Sequence, residues 1–142
     1  MQWDYDDPFT MDITVAEADT DRLGHTNNQV YLKWFEQISW LHIEPRGMSW
    51  ELQEKLGKAM AITRTEINYL GASYASEQLQ VATWITHSDG RLLSTREFQI
   101  IRISDQKTLV RAKSAYACID LKSGRPSRMP MEIAETLGNL AI

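Results

Sequence analysis

A chain of 142 residues with 43% hydrophobic content is long enough to bury a core and short enough for one domain, so residues 1–142 are expected to form a single domain. A formal net charge of −4 without a basic stripe argues against broad nucleic-acid binding. No apolar run approaches bilayer-spanning length, and the acidic start from Met1 to Asp7 lacks the basic and apolar regions of a signal peptide, so a soluble, cytoplasmic protein with no membrane contact is expected.

Phe9, Met11, Ile13 and Val15 alternate with Thr10, Asp12, Thr14 and Ala16, the period-two pattern of a half-buried strand. A loop from Asp19 to Asn28 follows, and then a helix from about Gln29 to His42, which Asn27 or Asn28 can cap. Tyr31, Trp34, Phe35, Ile38 and Leu41 form its apolar stripe. Because Leu32 and Trp40 are apolar on the other side, the helix is expected to be buried nearly all round. Glu44-Pro45-Arg46-Gly47 ends it, and Ser49 can cap a short second helix from Trp50 to Leu56 before Gly57 stops it.

From Ala59 onward the pattern is that of strands near Ile62–Leu70, Gln78–His87, Leu92–Ile103 and Thr108–Leu121, separated by turns and easily paired as an antiparallel meander. A short helix from about Met131 to Leu137 closes the chain, and there is no repeat or linker-like segment. One strand, a long apolar helix and four strands make an α+β arrangement in which a single sheet must cover the helix. Such a layout leaves sheet edges unprotected, so a dimer that extends the sheet is physically reasonable. Cys118 is the only cysteine, which excludes an intrachain disulfide. It reads as a small buried hydrophobe on a strand face shared with Val110, Ala112, Ser114 and Tyr116. His25, His42 and His87 have no metal-cluster spacing, so no metal and no cofactor is expected.

The segment Asp19-Thr20-Asp21-Arg22-Leu23-Gly24-His25-Thr26-Asn27-Asn28 sets two carboxylates, a glycine and an imidazole immediately ahead of the long helix. With the helix capped at Asn27 or Asn28, its first backbone N–H groups face Asp21. An acid and a set of fixed donors around one small volume suit attack on a carbonyl. The same residue types also build ordinary turns and caps. The whole string, Asp-x-Asp-x-x-Gly-His-x-Asn-Asn-x-x-Tyr-Leu running into Trp34-Phe35-Glu36, resembles the signature of the hotdog-fold acyl-CoA thioesterases of the 4-hydroxybenzoyl-CoA thioesterase type, especially their long-chain acyl-CoA branch. Ala117-Cys118-Ile119-Asp120-Leu121-Lys122, with Gly124-Arg125-Pro126 and Met129-Pro130, resembles the end of that family's last strand.

The resemblance implies a hotdog fold, an antiparallel sheet of about five strands wrapped around one long central helix. It also implies a homodimer or homotetramer with sites at the subunit interface. The implied activity is hydrolysis of an acyl-CoA thioester to a carboxylic acid and free coenzyme A. Asp21, four residues before His25, falls on the family's catalytic carboxylate and is the expected nucleophile or general base. His25 and Asn28 stand beside it as catalytic candidates, with backbone N–H groups around Thr26 to Asn28 polarising the thioester carbonyl. Asp19, Asn27 and Tyr31 are expected at the substrate, Asp19 as a strand-ending acid that holds the loop or biases Asp21. Glu36, two turns into the helix, is a reserve carboxylate. Coenzyme A phosphates call for fixed cations, and Arg91, Arg125 and Arg128 are suitable. Trp34, Phe35, Trp40 and Trp50 serve either an acyl pocket or the core. Two other classes remain open: a hotdog acyl-thioester hydratase or dehydratase, although the Pro-rich loop that such enzymes carry after the histidine is missing, and a non-catalytic acyl-thioester binding protein.

Overall fold

The computed structural model describes residues 1–142. Its strands are β1 (Phe9–Thr14), β2 (Lys58–Tyr69), β3 (Gln78–Ser88), β4 (Leu93–Arg102) and β5 (Lys107–Asp120), and its helices are α1 (Asn28–Ile43), α2 (Trp50–Leu56) and α3 (Met131–Leu140). The five strands form one sheet in the order β1-β3-β4-β5-β2. β1 pairs antiparallel with β3, from Phe9 opposite Thr83 to Thr14 opposite Gln78.

This order corrects the expected four-strand meander. Only β3, β4 and β5 are sequential neighbours, while β2 lies beside β5. The physical reason is the connection after β2. Residues 70–77 are too long for a two-residue hairpin turn, and the Leu70 and Gly71 N–H groups bond to the Leu109 carbonyl, at 2.8 and 3.2 Å, which ties the exit of β2 to β5. Both sides of β3 are then filled by β1 and β4, leaving β1 and β2 as the sheet edges.

Contacts group the chain into two compact units. The first comprises Met1–Ser39, Ile67–Thr83 and Phe98–Ala112. In its core Tyr31, Trp34, Phe35 and Ile38 of α1 pack with Leu79, Val81, Phe98, Ile100, Leu109 and Val110 from the strands, and the Phe35 and Phe98 rings stack with centroids 4.4 Å apart. The second comprises Trp40–Glu66, Trp84–Glu97 and Lys113–Ile142. Met48, Ile85, Cys118, Met129, Ile133 and Leu137 form its core. Gly47, at φ +110°, reverses the chain before α2, and a Cβ there would meet Thr136 Oγ1 at 2.8 Å, so this turn requires glycine. Cys118 is buried as expected, and burial raises its thiol pKa.

Helix α1 is not buried all round. Positions 31, 34, 35, 38 and 42 form one buried stripe, while Leu32 and Leu41 are about half exposed. The two leucines flank that stripe on opposite sides, and Lys33, Glu36 and Gln37 are exposed between them, so the helix is covered on one face only in the single chain.

Candidate active site

The loop that carries Asp21 begins with one 3-10 turn, Glu17–Asp19, in which Asp19 Oδ2 accepts the Ala16 N–H at 3.0 Å. Asp19 lies in this turn rather than at the end of β1, and its carboxylate holds the turn locally. A tight turn follows. Thr20 bridges to Thr26, Asp21 N–H donates to the His25 carbonyl at 2.8 Å, and Gly24 N–H donates to the Asp21 carbonyl at 3.0 Å. Gly24 sits at φ +77°, a conformation that costs any residue with a Cβ, which explains the glycine directly before His25.

Asp21 is exposed at the head of this turn. One of its oxygens, Oδ1, accepts the N–H groups of Leu23 at 2.8 Å and His25 at 3.3 Å. The other oxygen, Oδ2, has no partner within the chain. The carboxylate is therefore oriented by one oxygen and open at the other, as a nucleophile or base requires. His25 bridges to Tyr74, and the two rings meet edge to face with centroids 5.1 Å apart.

The cap of α1 is Asn27. Its Oδ1 accepts from Gln29 N–H at 3.0 Å and its carbonyl from Val30 N–H at 2.9 Å, while Asn28 is the first helical residue and is exposed. This narrows the expected set of carbonyl-polarising donors. Thr26 N–H is taken by the Ser73 carbonyl and Asn27 N–H by the Asp19 carbonyl, each at 2.8 Å. Asn28 N–H is the one amide of the three with no acceptor in the chain, and it lies where the helix dipole is most positive.

Beneath the loop lies a cluster that sequence reasoning missed. Thr26, Tyr31 and Ser73 are all buried, Ser73 completely. Ser73 Oγ is 2.5 Å from Thr26 Oγ1 and 2.8 Å from the Tyr31 hydroxyl. Tyr31 thus has its hydroxyl directed into the core, where its ring also packs edge to face with Trp34. Trp34 and Phe35 are core residues, Trp40 packs against the half-exposed Trp50, and Glu36 is exposed on α1.

In the second unit the three candidate phosphate ligands fall on adjoining loops. Arg91 follows the turn built by Asp89, whose Oδ1 accepts the N–H groups of Arg91, Leu92 and Leu93; the Leu92 bond, then those of Arg91 and Leu93, holds the Asp89 carboxyl down at about 2. Met129 N–H donates to the Arg91 carbonyl at 2.7 Å, which brings the Arg128 segment alongside, and Asp120 N–H donates to the Arg125 carbonyl at 2.9 Å. Arg91, Arg125 and Arg128 are all exposed and form no salt bridge. The structure therefore gathers the arginines with one another in one unit, and Asp19, Asp21, His25, Asn27, Asn28 and Tyr31 with one another in the other.

The second unit also holds a buried pair with no sequence signal. Arg96 Nη1 is 2.9 Å from His42 Nδ1, and both residues are under a tenth exposed. Burial, then the charges of Arg96 and Arg46, pushes the His42 pKa from 6.5 down to about 4.

The sheet order and the helix packed against it define a hotdog fold, and the loop at the start of α1 supplies an acid and a free helix amide. The sequence profile of the Thioesterase-like superfamily matches residues 15–137, so the chain belongs to that superfamily and is a thioester hydrolase. A protein of Bacillus subtilis (strain 168), provisionally named acyl-CoA thioesterase YneP, is 26% identical over 115 residues, covering 81% of this chain and 82% of that protein. Among solved structures, Slr0204 of Synechocystis, a 1,4-dihydroxy-2-naphthoyl-CoA thioesterase, superposes with a TM-score of 0.82 at 19% identity, over 94% of this chain and 98% of its own. SAV2348 of Staphylococcus aureus, solved in complex with CoA, gives a TM-score of 0.86 at 16% identity over 94% and 84%. No helix is long and apolar enough to cross a membrane.

Proposed function

We propose that the thioester hydrolysed is an acyl-CoA and that Asp21 performs the chemistry. The observation that carries this reading is the Asp21 carboxylate, anchored through Oδ1 to the Leu23 and His25 amides with Oδ2 open to solvent. Two routes balance. In one, Oδ2 attacks the acyl carbon, the C–S bond breaks, coenzyme A leaves as its thiolate, and water then hydrolyses the mixed anhydride. In the other, Asp21 takes a proton from a water whose oxygen attacks the same carbon, the C–S bond breaks, and coenzyme A leaves as its thiolate, which the proton on Asp21 or solvent then neutralises. In both, Asn28 N–H stabilises the developing oxyanion, an interaction typically worth roughly 10²- to 10³-fold in rate per donor. His25 orients the thioester or the water. Arg91, Arg125 and Arg128 hold the phosphates of coenzyme A, and the names of the Bacillus relative and of the CoA-bound Staphylococcus structure support that carrier.

The reading includes residues 1–142 working as one hotdog domain, a homodimer or homotetramer built through the sheet edges β1 and β2, and a cytoplasmic location, which suits a buried, unpaired Cys118. The test is thiol release from acetyl-, octanoyl-, palmitoyl- and benzoyl-CoA by the purified protein and by Asp21→Asn. Turnover should fall by at least roughly 10²-fold in the variant with its circular dichroism unchanged. A folded Asp21→Asn protein at near-normal turnover would refute the role of Asp21 and move attention to Glu36. Sedimentation at micromolar concentration checks the assembly; a fully active monomer removes the oligomer from the reading.

A further inference from the structure

Ser73, at the centre of the buried hydroxyl cluster beneath the loop, has none of the roles above. Ser73 joins two parts of the site that the chain brings together from 47 and 42 residues away. Its carbonyl accepts Thr26 N–H at 2.8 Å and lies 3.3 Å from Thr26 Oγ1, while its hydroxyl lies between Thr26 Oγ1 and the Tyr31 hydroxyl. Three hydroxyls carry three protons, and one arrangement uses them all. Tyr31 donates to Ser73 Oγ, Ser73 donates to Thr26 Oγ1, and Thr26 donates to the Ser73 carbonyl. The reverse direction leaves the Tyr31 proton buried with no acceptor. Thr26 ends the Asp21 turn, and Tyr31 lies in the first turn of α1. The Ser73 side chain therefore fastens the end of the turn that holds the carboxylate to the start of the helix that supplies the Asn28 amide.

We infer that Ser73 is a positioning residue: its hydroxyl fixes the spacing between the Asp21 carboxylate and the Asn28 N–H, and it acts on turnover rather than on substrate affinity. This rests on the assignment of Asp21 and Asn28 proposed above. Tyr74, the next residue, extends the same tie by bridging to His25. The reacting groups are sensitive to small displacements, since misplacing them by about 1 Å costs roughly 10²-fold in rate.

The test compares wild type, Ser73→Ala, Tyr31→Phe and the double variant, using the best substrate of the thiol-release screen and thermal unfolding of the same samples. Ser73→Ala should lower kcat by about tenfold or more with KM within about twofold, and it should lower Tm because the Tyr31 hydroxyl is left buried and unpaired. Removing that hydroxyl as well should return Tm toward wild type while kcat stays low, a separation that a purely structural role does not produce. The inference is overturned if Ser73→Ala turns over normally, or if kcat recovers together with Tm in the double variant. Should Ser73→Ala fail to fold, Tyr31→Phe carries the test alone: a folded variant with wild-type kcat overturns it. A wild-type protein that releases no thiol from any ester defeats the acyl-CoA reading itself, whereas an active wild type with an unaffected Ser73→Ala defeats only the positioning role.

Discussion

The His42–Arg96 pair makes a pH dependence that can be worked out in sign and size. Arginine has no acceptor, so His42 Nδ1 must accept from Arg96 Nη1, and the imidazole is neutral with its proton on Nε2. Burial disfavours the charged imidazolium, and the charges of Arg96 and Arg46 add to that, which is why the pKa falls from 6.5 to about 4. A folded value below the unfolded one means that the unfolded chain takes up the proton first. The pair's stabilisation is complete above pH 6.5 and is lost as pH falls toward 4. At 1.36 kcal/mol per pKa unit, the loss between pH 7 and pH 4.5 is about 2 kcal/mol. The depressed carboxylates Asp89 and Asp120, each near 2, weaken the fold only below about 4, outside this window. His42→Gln keeps an acceptor for Arg96 without a titrating group. Urea unfolding of wild type and variant at both pH values, at one protein concentration, should show wild type losing about 2 kcal/mol more than the variant. Parallel losses would refute a buried neutral imidazole at this position.

Two further outcomes are expected. Arg91→Ala, Arg125→Ala and Arg128→Ala should each raise KM for acyl-CoA more than they lower kcat, because contacts to remote phosphates are present in ground and transition states alike; steady-state thiol release checks each, and an arginine whose KM does not move has no phosphate role. Phe35→Ala removes a ring stacked on Phe98 in the core of the first unit and should destabilise the protein by roughly 3–5 kcal/mol, read as a shift in the urea midpoint.

Local signals carried most of this fold. The alternation from Phe9 to Val15, the cap at Ser49 and the glycine at position 57 set β1 and α2 as observed, since each depends only on residues a few places apart. Pairing order did not follow from them, because alternation marks a strand without naming its partner, and the ties from Leu70 and Gly71 to Leu109 are long-range. The site divides in the same way. Asp21 and its turn were legible because Gly24 and His25 lie within four residues of it. The choice between Asn27 and Asn28 was not, since both side chains can cap and only the observed bond from Gln29 N–H to Asn27 Oδ1 decides. Two further long-range or loop bonds, from Thr26 N–H to the Ser73 carbonyl and from Asn27 N–H to the Asp19 carbonyl, leave Asn28 N–H as the amide of that stretch with no acceptor in the chain. Ser73 and Arg96 were invisible for a stronger reason. A serine in a turn-rich stretch and an arginine in a strand look like surface residues until the fold buries them. Each then needs a partner, and those partners, Thr26, Tyr31 and His42, come from 42 to 54 residues away. Polar side chains that the fold places inside are thus what the sequence leaves unread here, beneath the Asp21 loop in one unit and at the end of α1 in the other.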